Sequence, residues 1–401
     1  MIYKFLDTVR VARKMIMNYS LLQRMTTKSF RANRRCINSS ALTITQSTDV
    51  AAMPPQETLK FGRTFTPHML TISFSLDHGW ADPEIKPYEF LSISPASSCV
   101  NYGMQCFEGM KAYRTLNPND ENDESLRLFR PDLNMKRLSN SMERISLPGH
   151  DFDGKELIKC MKKLISLEKD WVPKGEGYSL YLRPNVLATN SNLGEGRMES
   201  VLLYVITSPV GPYYKGGFEP VRLICESNYV RAWSGGTGAS KVGGNYAPAL
   251  KPTDEAQVKG YNQVLWLMNG DVTEVGSMNI FLVFDIGDGK KEIVTPPLSR
   301  GDILPGVTRN SISQLARTWE GYEMVERNVS MDEVASAIKA GKLVEAFGAG
   351  TAAVVCPIEC INYNGEDLEI PATGKATQRA WDELLSIQYG KIDHEWSDKF
   401  Y

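Results

Sequence analysis

The stretch GGTGASKVGGNYAPAL, residues 235–250, places five glycines within ten residues around Lys241. A packed core does not require so much bare backbone, and the composition predicts a loop. Glycine lets a backbone or a flat ligand approach more closely than any other residue does. The chain must therefore fold around a loop that carries one flexible cation.

Lys241 has three interpretations. The first is a solvated side chain on a mobile surface turn, which describes most lysines near glycines. The second, a nucleotide-binding phosphate loop, is excluded because that loop has Gly before the lysine and Ser or Thr after it, whereas Ser240 and Val242 flank Lys241. The third is a Schiff-base nucleophile in a pocket for a flat cofactor.

A lysine that binds pyridoxal phosphate needs a carboxylate near the ring nitrogen, and amides and a cation near the phosphate. Glu274 lies inside an otherwise apolar strand pair, where an unpaired carboxylate is unfavourable. The run GDILPGVTRNSI predicts a helix whose first N–H groups, at Val307 and Thr308, can bind phosphate. A turn of small residues surrounds Thr351. Taken singly, these features are equally those of an edge acid, a helix cap and a tight loop.

The composition narrows the class of protein. With 401 residues, 42% hydrophobic and 23% charged, the chain is long enough for two domains with their own cores. It has no apolar run near the roughly 20 residues that span a bilayer. Outside the first 48 residues there are 36 basic and 46 acidic residues, from totals of 45 and 47 less 9 and 1. This acidic balance argues against a nucleic-acid-binding surface.

The first 48 residues carry nine Lys or Arg and one acid, Asp7. Their apolar residues are spaced as in an amphipathic helix, and Ser and Thr are frequent, which together predict a mitochondrial transit peptide and a place in the mitochondrial matrix. The alternative is a disordered basic tail without a targeting role. On either interpretation, residues 1–50 are expected to stand outside the fold.

Cysteine and histidine point to no further chemistry. The seven cysteines are scattered and include no Cys-x-x-Cys pair, so we expect reduced thiols rather than a disulfide framework. The four histidines are too dispersed for a zinc site.

The secondary-structure pattern mixes helices and strands. Apolar periodicity predicts helices at 134–147 and 155–171 before a Pro- and Gly-rich loop, SPVGPYYKGG. After the loop, an Asn269-Gly270 turn joins predicted strands 263–268 and 272–284. Helices are then expected at 308–319, from a Ser330–Glu333 capping box to about Gly341, and at 375–388.

Eight motifs make the chain resemble the branched-chain aminotransferases, which are class IV pyridoxal-phosphate enzymes. The motifs stand in the same order as in that family. They are FGRTFTPHM (61–69), NYGMQCFEGMKAYR (101–114), LFRPDLNMKRL (128–138), SLYLRP (179–184), KVGGNY (241–246), TEVGSMNIF (273–281), LPGVTR (304–309) and GTAAVVCP (350–357). The resemblance implies an α+β, two-domain fold type IV enzyme. A smaller N-terminal α/β domain (51–208) and an interdomain loop (209–220) would precede a larger cofactor-binding domain with a barrel-like β core (221–401).

The resemblance also implies roles in cofactor binding. Lys241 would bind pyridoxal 5'-phosphate covalently and then move the substrate's proton. Glu274 would contact the pyridine nitrogen and Tyr246 the phenolic oxygen, while Leu304 would pack against the ring. The phosphate would be held by Arg137, the amides of Val307 and Thr308, and Thr351.

The resemblance assigns the substrate pocket as well. Its aromatic walls would be Phe61, Tyr102, Phe107, Tyr181 and Tyr213. Arg183 would bind the side-chain carboxylate of glutamate or 2-oxoglutarate, and the amides of Thr351 and Ala352 the α-carboxylate. The Tyr102 loop and Leu193 would come from a second subunit, which implies a homodimer.

Alternatives remain at this point. Within the same fold they are D-amino-acid aminotransferases and aminodeoxychorismate lyases; in another functional class, a cofactor-holding partner protein of a mitochondrial assembly. The chain also departs from the redox-sensitive Cys-x-x-Cys of the mammalian mitochondrial members, because Ala353 occupies the first cysteine position and only Cys356 the second. The sequence therefore predicts no redox switch there.

Overall fold

A computed structural model of the chain describes residues 35–48, 52–120, 122–212, 218–371 and 374–401. The strands in these ranges are β1 Thr43–Ile44, β2 His68–Ser75, β3 Gly79–Trp80, β4 Glu84–Pro87, β5 Gln105–Phe107, β6 Met110–Arg114, β7 Leu126–Phe129, β8 Ser179–Ala188, β9 Ser200–Val210, β10 Val221–Glu226, β11 Gln263–Met268, β12 Asp271–Val275, β13 Met278–Gly287, β14 Lys290–Thr295, β15 Tyr322–Glu326, β16 Leu343–Gly350, β17 Val354–Tyr363, β18 Glu366–Glu369 and β19 Ser397–Lys399. The α-helices there are α1 Ser98–Tyr102, α2 Pro131–Arg144, α3 Gly154–Leu167, α4 Leu250–Val258, α5 Val307–Ala316, α6 Met331–Lys339 and α7 Lys375–Gln388.

The strands form two sheets. The first has the order β1-β4-β2-β9-β8-β6-β7-β19, with β3 beside β2 and β5 beside β8. In the second, strands β12, β11, β10, β17, β16 and β13 pair in turn, and the β12–β13 pairing closes the ring. The molecule therefore has the α+β character that the resemblance implied, with a barrel-like core in its second half.

Helices α2 and α3 cover the first sheet with the apolar faces that their periodicity predicted. Met135, Leu138 and Met142 of α2 and Leu157 of α3 are buried in one cluster with Leu70 of β2. A separate cluster includes Tyr113 and Phe129 from the first sheet, Phe281 and Phe347 from the second, and residues of α5 and α7. Apolar packing thus joins the two sheets.

Helix boundaries agree with the predictions in some places and differ in others; for example, α5 ends at Ala316 rather than at 319. Helix α7 spans the predicted 375–388, and Ser330 caps α6 by accepting from the Glu333 amide at 3.1 Å. Helix α2 begins earlier than predicted, because Pro131 suits the first helical turn, where its missing N–H needs no partner. Helix α3 ends at Leu167, and Trp171 belongs to a separate 3-10 turn that buries its ring.

The predicted strand 272–284 is instead two strands. Gly276, with φ of +52°, turns the chain between β12 and β13, which then pair with Glu274 opposite Asn279. This φ lies in the left-handed region, which favours glycine over residues that carry a Cβ. The hairpin around Asn269-Gly270 is present as predicted.

The expectation that all of residues 1–50 stand outside the fold is wrong for residues 35–48. Ile37 is buried in the first core, the Ser39 amide and hydroxyl donate to Glu156 at 2.8 and 2.6 Å, and β1 pairs with β4. Burial of Ile37 gives this segment a reason to pack. The predicted transit-peptide helix lies in residues 1–34, outside the described ranges.

The predicted domain division at 209–220 stays a prediction, and residues 213–217 of that loop lie outside the described ranges. Strand β19, which lies in the predicted second domain, pairs antiparallel with β7 of the first sheet. The last described strand of the chain therefore joins the first sheet.

Candidate active site

Lys241 is held between the two halves of the chain. Its amide donates to Ser141 Oγ of α2 at 2.9 Å, and its carbonyl accepts from the Phe107 amide at 3.0 Å. Its Nζ donates to the Tyr246 hydroxyl at 3.0 Å and lies 4.8 Å from the centre of the Phe107 ring. These contacts contradict the interpretation of Lys241 as a solvated cation on a mobile turn.

The glycine-rich loop reaches this position by close backbone contact. A Cβ at Gly238 would lie 2.4 Å from the Ala232 Cβ and 2.7 Å from the Asp302 carbonyl oxygen. Only glycine therefore lets the loop pass between these two segments. The loop is packed against its neighbours, and Lys241 emerges from it into a cavity.

The cavity has a volume of about 500 Å³. Most residues that the sequence assigned to a site line it. They come from strands β5 and β8 of the first sheet, from helix α2, from the first turn of α5 and from loops, including the turn between β16 and β17: Phe61, Phe107, Arg137, Tyr181, Arg183, Lys241, Tyr246, Leu304, Val307, Thr308, Thr351 and Ala352. Its size suits a cofactor with a small substrate.

Glu274 lies beneath the cavity, almost fully buried. Its Oε1 accepts from Asn279 Nδ2 at 3.0 Å, and its Oε2 forms an ion pair with Arg231 Nη1. Burial raises the pKa of Glu274 to about 7, and the charges of Arg231 and Lys241 oppose that rise. The carboxylate is thus placed where a ligand's protonated ring nitrogen could stabilise its ionised form.

The N-terminus of α5 forms an anion-binding corner of the cavity. Gly306 offers no side-chain cap to the first turn, in which Val307 and Thr308 are buried. Arg137 lies beside it and donates to the Pro305 carbonyl at 3.0 Å. Uncapped N–H groups at a helix N-terminus next to a guanidinium are a suitable site for phosphate.

Glu108 fixes the position of Arg137. It accepts from Arg137 Nε at 2.7 Å and Nη2 at 2.8 Å, and from Asn134 Nδ2 at 2.8 Å. All three side chains are buried. A bidentate pair of this kind orients the guanidinium and leaves Nη1 on the side of Pro305.

Aromatic rings form the opposite wall. Phe61 and Tyr181 meet edge to face with centroids 4.8 Å apart. The Arg183 guanidinium lies 4.8 Å from the Phe107 ring centre and donates to the Tyr181 hydroxyl at 3.2 Å. Its buried Nε has no hydrogen-bond partner among the described residues. An apolar wall that contains one cation can bind either an apolar side chain or a carboxylate in the same space.

Three predicted residues do not line the cavity, and the position of a fourth is not described. Glu274 is behind the cavity surface, as described above. Tyr102 and Leu193 are exposed and joined to each other, since the Tyr102 hydroxyl donates to the Leu193 carbonyl at 2.5 Å, and neither lines the cavity of this chain. Tyr213 is outside the described residues.

The sequence interpretation missed Glu108, Arg231 and Asn279. A signal existed for Asn279, because it stands within the TEVGSMNIF motif, five residues after Glu274. Glu108 likewise lies within a quoted motif. Arg231 gave no signal, because it stands outside every quoted motif and 43 residues before Glu274 in the chain.

The chain is similar to one family of known proteins. Residues 105–361 match the family "Amino-transferase class IV". The chain is 50% identical to the branched-chain-amino-acid aminotransferase of Dictyostelium discoideum, over 84% of this chain and 89% of that protein. It is 45% identical to the mitochondrial branched-chain-amino-acid aminotransferase of Schizosaccharomyces pombe, over 96% and 91%.

Among solved structures, the chain resembles a branched-chain aminotransferase from Thermoproteus uzoniensis crystallised with norvaline. The TM-score is 0.65 at 26% identity, over 83% of this chain and 100% of that one.

Proposed function

Since the chain belongs to the class IV aminotransferases and is a branched-chain-amino-acid aminotransferase that uses pyridoxal 5'-phosphate, we propose that the cavity around Lys241 is its active site. The observation that carries this proposal is the arrangement of three groups around one cavity. They are the Lys241 amine, the buried Glu274 carboxylate and the uncapped N-terminus of α5 beside Arg137.

The residues present fit the cofactor. Lys241 would bind the cofactor covalently. Glu274 would accept a hydrogen bond from the protonated ring nitrogen, and the Tyr246 hydroxyl would contact the phenolic oxygen. Arg137, Thr351 and the amides of Val307 and Thr308 would bind the phosphate, with Leu304 against the ring. The buried carboxylate and the uncapped helix terminus both gain partners by this arrangement.

The bound cofactor supplies an electron sink that carries an amino group from one substrate to the next. Lys241 serves as the base that takes the substrate's Cα proton and as the acid that returns it. Its hydrogen bond to Tyr246 orients the amine in the cavity. Glu274, held by Asn279 and Arg231, would supply a negative charge to the protonated ring nitrogen of the cofactor.

Two carboxylate sites and one apolar wall account for the two kinds of substrate. The α-carboxylate of either amino acid would bind the amides of Thr351 and Ala352. Leucine, isoleucine or valine would place its side chain against Phe61, Phe107 and Tyr181. Glutamate would place its side-chain carboxylate on Arg183, whose Nε lacks a partner among the described residues.

The relatives give no support to the D-amino-acid aminotransferase, lyase or partner-protein alternatives. We further propose that the enzyme is a homodimer in which Tyr102, Leu193 and Tyr213 contribute to the substrate pocket, the first two from the second subunit. The exposure of Tyr102 and Leu193 supports this arrangement. In the described residues, no helix has the length and apolar character that a membrane crossing requires.

Absorption spectroscopy tests the proposed site directly. The purified holoenzyme should absorb in the visible through the lysine-bound cofactor, and leucine should bleach this band as the amino group is transferred. Adding 2-oxoglutarate should restore the band and release glutamate. A Lys241→Ala variant that still shows the wild-type band and the same bleaching would refute the assignment.

A further inference from the structure

Lys111 is a buried cation that the proposed function leaves unused. It lies on β6 with 6% of its surface exposed, and its Nζ donates to the Ala352 carbonyl at 2.9 Å. Among the described residues, this carbonyl is its hydrogen-bond partner and no carboxylate lies within ion-pair distance. A buried ammonium with a single neutral partner is unfavourable in an apolar interior.

The position of Lys111 brings it to the back of the substrate-binding turn. In the register of β6 and β8 it stands opposite Tyr181, so both side chains leave the same face of the sheet. Lys111 also borders a small cavity together with Thr308 and Thr351. The ammonium therefore lies beside the Thr351–Ala352 turn, where Lys111 borders the small cavity and is not among the residues that line the main one.

The hydrogen bond has a defined effect on the turn. The Ala352 carbonyl belongs to the peptide that follows the two amides assigned to the α-carboxylate. The hydrogen bond from Lys111 to this carbonyl restrains the turn, and it thereby restrains the two amides that line the cavity. Burial lowers the pKa of Lys111 to about 8, and a nearby bound anion would favour its protonated form.

We propose that Lys111 is a positioning residue for the α-carboxylate subsite, and that the bound carboxylate supplies the negative charge that the buried ammonium lacks. The inference rests on the proposed role of Thr351 and Ala352. It adds a residue that acts through the Ala352 peptide and through charge, without touching the substrate. A carboxylate and the cofactor phosphate are both anions, so the experiment must separate these two sources of negative charge.

The test uses holoenzyme and two matched ligands, 4-methylvalerate and its neutral amide, whose binding is followed by the change in cofactor absorption. Lys111→Met should weaken binding of the acid about 10- to 100-fold, within the range of coupling free energies between groups that do not touch each other. Binding of the amide should change by less than about 3-fold. In the leucine half-reaction, the half-saturating concentration should rise by the same factor while the maximal rate changes little.

Arg114→Met is the matched control. Arg114 lies on the same strand, is also buried, and donates to the main-chain carbonyls of Lys169 and Val172, far along the sequence from the turn. Its loss should lower stability without changing the preference for acid over amide. Lys111→Gln, which keeps a donor for Ala352 but no charge, should give an intermediate loss and serves if Lys111→Met does not fold.

Three results would overturn the inference. Equal losses for acid and amide would show a purely structural role. If Lys111→Met keeps the wild-type preference for the acid over the amide but binds pyridoxal phosphate with a smaller advantage over pyridoxal, the cofactor phosphate supplies the negative charge near Lys111. If leucine bleaches the wild-type enzyme but the enzyme binds 4-methylvalerate no better than the amide, the proposed α-carboxylate subsite is wrong. Failure of leucine to bleach wild type is distinguishable, because it contradicts the proposed function first.

Discussion

Lys241 combines two tasks in one amine, covalent attachment of the cofactor and transfer of the Cα proton. Lys241→Ala should therefore lower transamination by at least about 10³-fold, because a positioned acid–base group alone contributes roughly 10²–10⁴. The fold should persist, since the backbone contacts of Lys241 with Ser141 and Phe107 do not involve its side chain. Turnover with leucine and 2-oxoglutarate, together with thermal unfolding, measures both effects.

Lys251→Ala provides the control for this variant. Lys251 is an exposed lysine of α4 whose Nζ lies 3.8 Å from Glu255 Oε1. Its removal should leave turnover within about 2-fold, as surface changes usually do. Near-wild-type activity in Lys241→Ala would contradict the assignment of the nucleophile.

Glu274 makes the activity depend on pH in a defined direction. Its pKa is raised above the ordinary value to about 7, so the ionised form is lost as the pH falls through about 7. Removing the positive charge of Arg231 should raise the pKa further. Arg231→Met should therefore shift the acidic limb of the leucine half-reaction to higher pH, and Glu274→Gln should react slowly at every pH while still binding cofactor.

The pH profiles of single-turnover bleaching test this pair of variants. Arg231→Lys keeps a cation and should recover most of the wild-type profile. An acidic limb at the same pH in wild type and Arg231→Met would mean that the limb belongs to another group.

Arg183 should discriminate between the two amino donors. Arg183→Gln removes a cation that a side-chain carboxylate needs and an apolar side chain does not. We expect kcat/KM for glutamate to fall about 10- to 100-fold, the effect of losing a charged hydrogen bond, and for leucine by less than about 5-fold. Equal losses for both donors would instead indicate that Arg183 supports the aromatic wall.

At the scale of elements, strand β17 determines the redox behaviour. Cys356 pairs with Gly348 of β16, whereas Cys360 pairs with Arg222 of β10 and Glu369 of β18. Four residues of extended strand separate their Cα atoms by about 13 Å, and a disulfide needs less than about 7 Å. Burial also raises the pKa of Cys360 to about 11, which disfavours the reactive thiolate.

Mild peroxide should therefore leave most of the activity intact. Disulfide mapping before and after treatment should find no Cys356–Cys360 bond, and Cys356→Ser should respond to peroxide as wild type does. Reversible inactivation that appears together with this bond would show that β17 can distort enough to form a switch.

At the scale of the whole molecule, the chain combines an acidic body with a basic first segment. We propose that residues 1–34 direct it to mitochondria, a proposal supported by their composition and by the mitochondrial relative from Schizosaccharomyces pombe. Because import depends on positive charge, Arg10→Glu, Arg13→Glu and Lys14→Glu together should leave most of the protein in the cytosol. Fractionation of cells expressing wild type and this variant measures the change.

A matched control reverses the charge of three exposed lysines in the folded body, Lys155, Lys159 and Lys174. These positions should not affect location. Normal import of the Arg10, Arg13 and Lys14 variant would contradict the transit-peptide interpretation and favour a tail without a targeting role.

Local patterns in the sequence determined the elements that depend on neighbouring residues. Helix α7 and the Ser330 cap of α6 follow from spacing within about four residues, where the helix itself brings side chains together. The motif order also placed most cavity residues, because the resemblance carries their positions along the chain. The turn signal at Gly276 was weaker, and the sequence predicted one strand where the structure has two, β12 and β13.

Only the tertiary structure decided which distant groups meet. Lys111 and Ala352 are 241 positions apart, and their contact depends on how β6 lies beside the turn after β16. Arg231 and Glu274 are 43 positions apart, and their ion pair joins the segment before the glycine-rich loop to β12. A charged residue in a strand looks the same in sequence whether its partner is a carboxylate, a carbonyl or a ligand, since strand register and ring closure, which no local pattern encodes, determine the partner.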